Sequence, residues 1–209
     1  MTPLPPDSCS SVIVGVLLAA GHSTRMGQPK QLLPWHGVPL VRHMAHVALA
    51  TQLRELVVVT GAAAEQVRAA LADLPVQVVH NPDFDQGQST SLRAGIQALP
   101  PGVDAAMVLL VDQPLLQPAT IDALITAWRP PWQIVAPRYA GQRGHPVLFA
   151  RALFEHLCAI QGDRGARNLL ERYAGQSLLV DVSDAGVVLD MDTPEVYQRL
   201  HGQATQRDD

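Results

Sequence analysis

Residues 17–30 read Leu-Leu-Ala-Ala-Gly-His-Ser-Thr-Arg-Met-Gly-Gln-Pro-Lys, and these residue types in this order suit the binding of phosphate. An apolar run from Val12 to Leu18 stops at two alanines and Gly21. The loop that follows carries a second glycine, Gly27, the hydroxyls of Ser23 and Thr24, and two cations, Arg25 and Lys30. Glycines let a backbone approach an anion closely and take unusual torsions. Inward-pointing N–H groups form an anion nest. Arg supplies a fork of donors, and Lys supplies a point charge. The spacing is not that of a Walker A loop, because five residues separate Gly21 from Gly27 and Gln28 stands where that motif needs Lys. The dinucleotide fingerprint is excluded too, since its Gly-x-Gly pair is missing. From these residues alone, an ordinary strand-to-helix turn with solvated charges is the competing interpretation.

The same string resembles the Leu-Ala-x-Gly-x-Ser-x-Arg-Met-Gly-x-x-Lys signature of the MobA-like nucleotidyltransferases. Leu18, Ala19, Gly21, Ser23, Arg25, Met26, Gly27 and Lys30 fill its fixed positions. The resemblance runs from about Val12 to about Leu200. It implies an enzyme that moves a nucleotide from an NTP to a phosphorylated acceptor and releases pyrophosphate. Guanylyl-transferring members tend to have glycine where this chain has Ala20. The Ala-Ala-Gly form is similar to the molybdenum cofactor cytidylyltransferase branch, which implies CTP as donor, a molybdopterin-type acceptor and Mg2+. Contact with a molybdoenzyme or its maturation chaperone is implied as well. Two other readings stay open: the same chemistry with GTP or with a sugar or alcohol phosphate, and a non-catalytic carrier that hands the finished cofactor to an apo-oxidoreductase.

Such a transfer runs on charge neutralisation and positioning, because the attacking phosphate is already an anion. Arg25, Lys30 and Asp112 are the candidate catalytic residues. Asp112 closes the apolar run Val-Leu-Leu-Val before Gln113 and Pro114 and resembles the family's metal-holding Asp-x-Pro motif; a turn aspartate is the plain alternative. Asp190 and Asp192 lie two apart, on one side of the chain if it is extended. Asp192 in Asp-Thr-Pro-Glu resembles a closing motif that helps bind the metal, and it is preferred over Asp190. Magnesium takes one or two protein carboxylates and completes its shell with phosphate oxygens and water.

Leu18, Ala19, Ala20, Gly21, Ser23, Arg25 and Lys30 are expected around the nucleotide, with Thr60 and Gly61 beside the base. Gly87, Gln88 and Ser89 open a helix whose N–H groups and hydroxyls suit a base or ribose, or merely cap it. Arg143, Gly144 and His145 precede an apolar run and form a rigid wall for the acceptor; a structural role for His145 is the alternative. Arg164 and Arg167, in a glycine-bracketed loop, meet acceptor anions or solvent.

The elements that must position these residues follow from apolar periodicity. Val12–Leu18, Glu55–Thr60, Val76–His80 and Ala105–Val111 read as buried strands. Helical stripes, including Leu40–Met44–Val47, Val67–Leu71 and Leu92–Ile96–Leu99, separate them. This alternation predicts an α/β fold, a Rossmann-like three-layer domain with a mostly parallel sheet of the nucleotide-diphospho-sugar transferase type. Ligands then sit at the carboxyl ends of the strands. Beyond 113, helices are expected over 121–128, 150–160, 166–174 and 194–200. Short strands are expected over 133–136, 147–149, 178–182 and 187–189, with 138–144 as a glycine-rich connection. The organisation expected is a single domain over 12–201, with a nucleotide-binding part at 12–112, an acceptor-binding part at 113–201, and flexible ends at 1–11 and 202–209.

With 209 residues and 47% hydrophobic content the chain can bury a real core. A formal net charge of −4 argues against a general nucleic-acid binder. Two cysteines, Cys9 and Cys158, build no disulfide framework. The amino terminus lacks the basic and apolar regions of a signal peptide, and no apolar run is membrane-spanning in length. These features predict a cytoplasmic protein.

Overall fold

The computed structural model describes residues 11–162 and 166–205. In chain order the elements are β1 (Ile13–Ala19), the short hairpin β2 (Pro34–Trp35) and β3 (Val38–Pro39), α1 (Leu40–Leu49), β4 (Glu55–Thr60), α2 (Ala64–Ala70), β5 (Gln77–His80), α3 (Gln88–Gln97) and β6 (Ala105–Leu110). There follow α4 (Pro118–Ala127), β7 (Ile134–Tyr139), β8 (Gln142–Arg143), β9 (Val147–Ala150), α5 (Phe154–Ala159), α6 (Arg167–Arg172), β10 (Ser177–Asp181) and α7 (Pro194–Thr205). No helix among the described residues is long and apolar enough to cross a membrane.

The main sheet runs β10-β7-β9-β6-β1-β4-β5, with β8 paired to β7. It is mostly parallel, as the pairs β1–β4, β1–β6, β4–β5 and β7–β10 are. β9 runs antiparallel between β6 and β7. Strand alternation sorts β1 between two cores. Ile13, Leu17 and Ala19 pack with α1, α2, α4 and α7, whereas Val14, Val16 and Leu18 pack with α3, α5 and α6. The result is the expected three-layer α/β architecture.

Two features of this packing set the site. β1 lies between β4 and β6, so the loops after β1 and β6 leave the same edge toward opposite halves of the sheet. A crevice opens at such a switch point. On α3, a Cβ at Gly95 would stand 2.4 Å from Val16. The missing side chain therefore lets α3 lie directly on β1, with its N-terminus over the crevice.

Three expectations need correction. The 187–189 segment is not a strand: Ala185–Val188 form a 3-10 turn that starts where Asp184 accepts a hydrogen bond from the Gly186 N–H. Gly186 is pressed against the backbone of Leu115 and Leu116, which seats the turn on the segment after β6. The 138–144 connection is largely a hairpin, since Arg138 and Tyr139 pair with Arg143 and Gln142 around Ala140 and Gly141, both at positive φ. The last helix continues past Leu200 to Thr205, into the expected flexible end. Residues 1–10 and 206–209 of the expected ends lie outside the described residues.

Candidate active site

The loop after β1 is shaped by its own side chains. Thr24–Met26 form one 3-10 turn between Ser23 and Gly27, both in the left-handed region at φ 57° and 68°. Gly21, expected to need such a torsion, has none, but the space beside its Cα is open and allows close approach of a ligand. Met26 is buried and pins the turn to the core. The Ser23 hydroxyl accepts the Lys30 N–H at 3.0 Å. Gln31, almost fully buried, donates from Nε2 to the carbonyls of Gly21 and Ala62. It thereby ties the loop to the end of β4.

Charges from three distant segments converge beside this loop. Lys30 Nζ donates to Asp112 Oδ2 at 2.5 Å and to Asp192 Oδ1 at 2.9 Å. Arg25 Nη2 donates to Asp192 Oδ2 at 2.9 Å. The two carboxylates therefore lie within two hydrogen-bond lengths of each other through one ammonium. Burial opposes the Lys30 charge, yet Asp112 and Asp192 outweigh it and hold the ammonium above its ordinary value. Burial likewise raises Asp192, but Lys30 and Arg25 more than offset it and hold this carboxyl below the usual range. For Asp112 burial pushes upward, joined by Asp190 and Asp192, against the pull of Lys30. Burial prevails at Asp112, whose carboxyl is held above the usual range in spite of Lys30, whereas the Lys30 ammonium is held charged between its two acceptors.

The other oxygen of Asp112, Oδ1, is buried without a hydrogen-bond partner among the described residues. A buried bare carboxylate oxygen is costly unless a cation or donor meets it. Asp112 and Asp192 therefore fit a hard divalent ion. No group of three or more His, Cys, Asp or Glu side chains among the described residues is arranged to hold a metal. A two-carboxylate site suits magnesium, which relies on phosphate oxygens and water for the rest of its shell.

A cavity of about 750 Å³ covers these residues. Leu18, Ala20, Gly21, Ser23, Arg25, Lys30, Gly87, Gln88, Asp112, Asp190 and Asp192 line it, together with Phe84. The His22 ring packs on Phe84 with centroids 4.8 Å apart and its Nε2 meets the Asp85 carboxylate, so the loop after β1 and the turn before α3 are joined at the rim. A second cavity of about 470 Å³ adjoins it. Arg143, Gly144, His145 and Arg167 line this one over an apolar floor that includes Leu92, Val108 and Phe149. The antiparallel run of β9 brings these residues here, because Val147 at its start pairs with Val108 near the end of β6. Leu18, Gln88, Leu110 and Asp190 border both cavities, which thus adjoin one another across a shared wall.

Other expected residues stand back from the walls. Ala19 points into the opposite core. Thr60 is fully buried and donates to the Val79 carbonyl. Gly61 backs Phe84, where a Cβ would come within 2.5 Å of the ring. Ser89 is buried and does not border either cavity, and the cap position of α3 is Gly87. Arg164 lies outside the described residues. Gln31, Gln113 and Phe84 were not singled out from sequence. Gln31 and Gln113 adjoin Lys30 and Asp112 and were the nearest available signal.

Residues 15–177 match the MobA-like NTP transferase domain. The chain belongs to this family. The MobA-like protein is 36% identical over 203 residues to nicotine blue oxidoreductase of Paenarthrobacter nicotinovorans, covering 93% of this chain and 98% of that one. It is 29% identical over 193 residues to the molybdenum cofactor cytidylyltransferase of Escherichia coli, covering 90% and 94%. The crystal structure of Rv0371c from Mycobacterium tuberculosis superposes with a TM-score of 0.79 at 34% identity, over 92% of this chain and 99% of that one. That protein has also been solved in complex with manganese. Nucleotidyltransferases of lower identity share the fold. This MobA-like chain is therefore a nucleotidyltransferase.

Proposed function

We propose that this enzyme transfers CMP from CTP to the terminal phosphate of a molybdopterin-type cofactor in the cytoplasm, with Mg2+. One observation carries the reading: the string Arg25–Asp192–Lys30–Asp112 lines a cavity of about 750 Å³, in the size range of small-molecule sites, that adjoins a second, cation-rimmed cavity. In the proposed step an acceptor phosphate oxygen attacks the α-phosphorus of CTP. The bond from the α-phosphorus to the bridging oxygen breaks, and pyrophosphate leaves with that electron pair. Asp112 and Asp192 would hold Mg2+, which would supply neutralisation of the phosphate charge. Arg25 and the Lys30 ammonium grip the triphosphate, and the loop amides hold it in line. Arg143 and Arg167 draw the acceptor anion, and the apolar floor carries its heterocycle.

Ala20 and Phe84 border the first cavity, and the Ala-Ala-Gly form of the loop, by its resemblance to the cytidylyltransferase branch, supports CTP over GTP. The nicotine blue oxidoreductase relative suggests redox chemistry by its name alone. The present chain has a phosphate loop without the Gly-x-Gly dinucleotide fingerprint, which favours transfer. The test is a panel of CTP, GTP, ATP and UTP with Mg2+ and molybdopterin, assayed for pyrophosphate. CTP is expected to give the fastest release, dependent on acceptor and on metal.

A further inference from the structure

Gln113 follows Asp112 directly, yet it borders neither cavity and is only 1% exposed. Its Nε2 donates to Asp190 Oδ1 at 2.9 Å and to the Val187 carbonyl at 3.2 Å. A flipped amide would turn its oxygen onto a carboxylate and a carbonyl, so the donor orientation is fixed. Both acceptors lie on the segment that ends at Asp192. The Val187 carbonyl also accepts the N–H of His145 at 2.9 Å, and a Cβ on Gly144 would stand 2.1 Å from that oxygen. Three pieces therefore meet at one buried amide: the end of β6, the wall of the second cavity, and the segment bearing Asp190 and Asp192. The backbone gives this segment one further tie to the strand end, from the Met191 N–H to the Asp112 carbonyl at 2.8 Å. That backbone bond does not involve the side chain of Asp190, which Gln113 holds.

We propose that Gln113 is a positioning residue that seats the 187–192 segment, setting Asp192 beside Asp112 and Asp190 at the wall shared by the two cavities. Its effect on turnover rests on the transfer reading; its effect on metal binding does not. Groups that orient ligating carboxylates commonly change metal affinity or activity by about 10- to 100-fold when removed.

The test is Gln113→Met, which keeps length and volume and removes both donors. Mn2+ binding without nucleotide, followed by the EPR signal of the free ion, should weaken by roughly 10-fold or more. The KM for molybdopterin should rise several-fold. CTP binding in EDTA, carried by the loop after β1, should stay within about two-fold of wild type. A packing role alone would lower the unfolding temperature and the active fraction while leaving the Mn2+ affinity and the acceptor KM unchanged, and that result overturns the proposal. If Gln113→Met does not fold, Gln113→Asn replaces it, since its amide is one methylene short of both acceptors and predicts the same split. Weakened Mn2+ binding in a protein whose wild type releases no pyrophosphate from CTP would sustain the positioning role and remove the transfer reading.

Discussion

Lys30 Nζ stands 2.5 Å from Asp112 Oδ2, and only 16% of either side chain is exposed. With Asp192 on its other side, the ammonium fills the place between two carboxylates that a divalent ion requires. On the proposed metal site, an incoming ion would draw on the same two carboxylates as the Lys30 ammonium, which would then be released toward phosphate. Lys30→Met should lower the stability of the metal-free protein by up to about 3–5 kcal/mol, the range for breaking a buried pair. Mn2+ should restore more stability to this variant than to wild type, and should bind it more tightly without nucleotide. Catalytic efficiency with CTP should still fall by roughly 10²-fold or more, through loss of a charge-assisted contact. Thermal unfolding with and without Mn2+ checks the first part, and weaker Mn2+ binding by the variant would refute the competition.

Asp112→Asn keeps shape and a hydrogen-bond acceptor for Lys30 but removes the charge that would hold the ion. Turnover should fall by at least about 10²-fold, on the scale of electrostatic groups in active sites. The fold and most CTP binding should persist, since Arg25 and the loop amides are untouched. Asp192 is more exposed, so Asp192→Asn should be milder and should recover part of its rate at high Mg2+. Kinetics across a Mg2+ titration distinguish the two.

The sequence made the loop from Ala19 to Lys30 and the strand-end Asp112 readable, because both follow long buried strands with clear boundaries. Their closure on Asp192 was not derivable from local pattern: it depends on how a turn at Ala185–Val188 returns the chain to β6. That turn reads as a strand from Val187, Val188 and Leu189, and only the Asp184 cap and the Gly186 contact reveal otherwise. Thr60 and Gly61 were expected at the base because they end a strand on the correct edge. Their neighbours Phe84 and Ala20 cover that position instead. The hairpin of Pro34–Pro39 is too short to carry a periodicity.

Ala20 offers a test of base choice. Its methyl borders the first cavity, and Ala20→Gly should enlarge that wall. A single methyl or methylene in a pocket is worth about 10- to 200-fold in discrimination. The ratio of kcat/KM for CTP to that for GTP should therefore fall by about 10-fold in the variant. An unchanged ratio would remove Ala20 from the selection of the base.

His145 gives a pH signature. Burial lowers its pKa from 6.5 to about 4, with Asp112 pulling it up and Arg143 pushing it down. Between those values the unfolded chain binds a proton that the folded protein does not, so stability rises with pH there. The contribution is fully present above pH 6.5 and is lost as pH falls toward about 4. His145→Asn should flatten this part of the stability profile. Urea unfolding at pH about 7 and about 5 would show it; an unaltered slope would mean that His145 titrates as it does in the unfolded chain.

The proposed function brings CTP and a phosphorylated acceptor together in two adjoining cavities. It is tested most directly by incubating the purified protein with Mg2+, α-labelled CTP and molybdopterin, and measuring pyrophosphate and labelled acceptor together. Equal amounts of pyrophosphate and CMP-bearing product are expected, both lost when Mg2+, molybdopterin or the Asp112 carboxylate is removed. Pyrophosphate or labelled product that forms equally well with the Asp112→Asn protein, or no labelled acceptor with the wild type, would contradict that function.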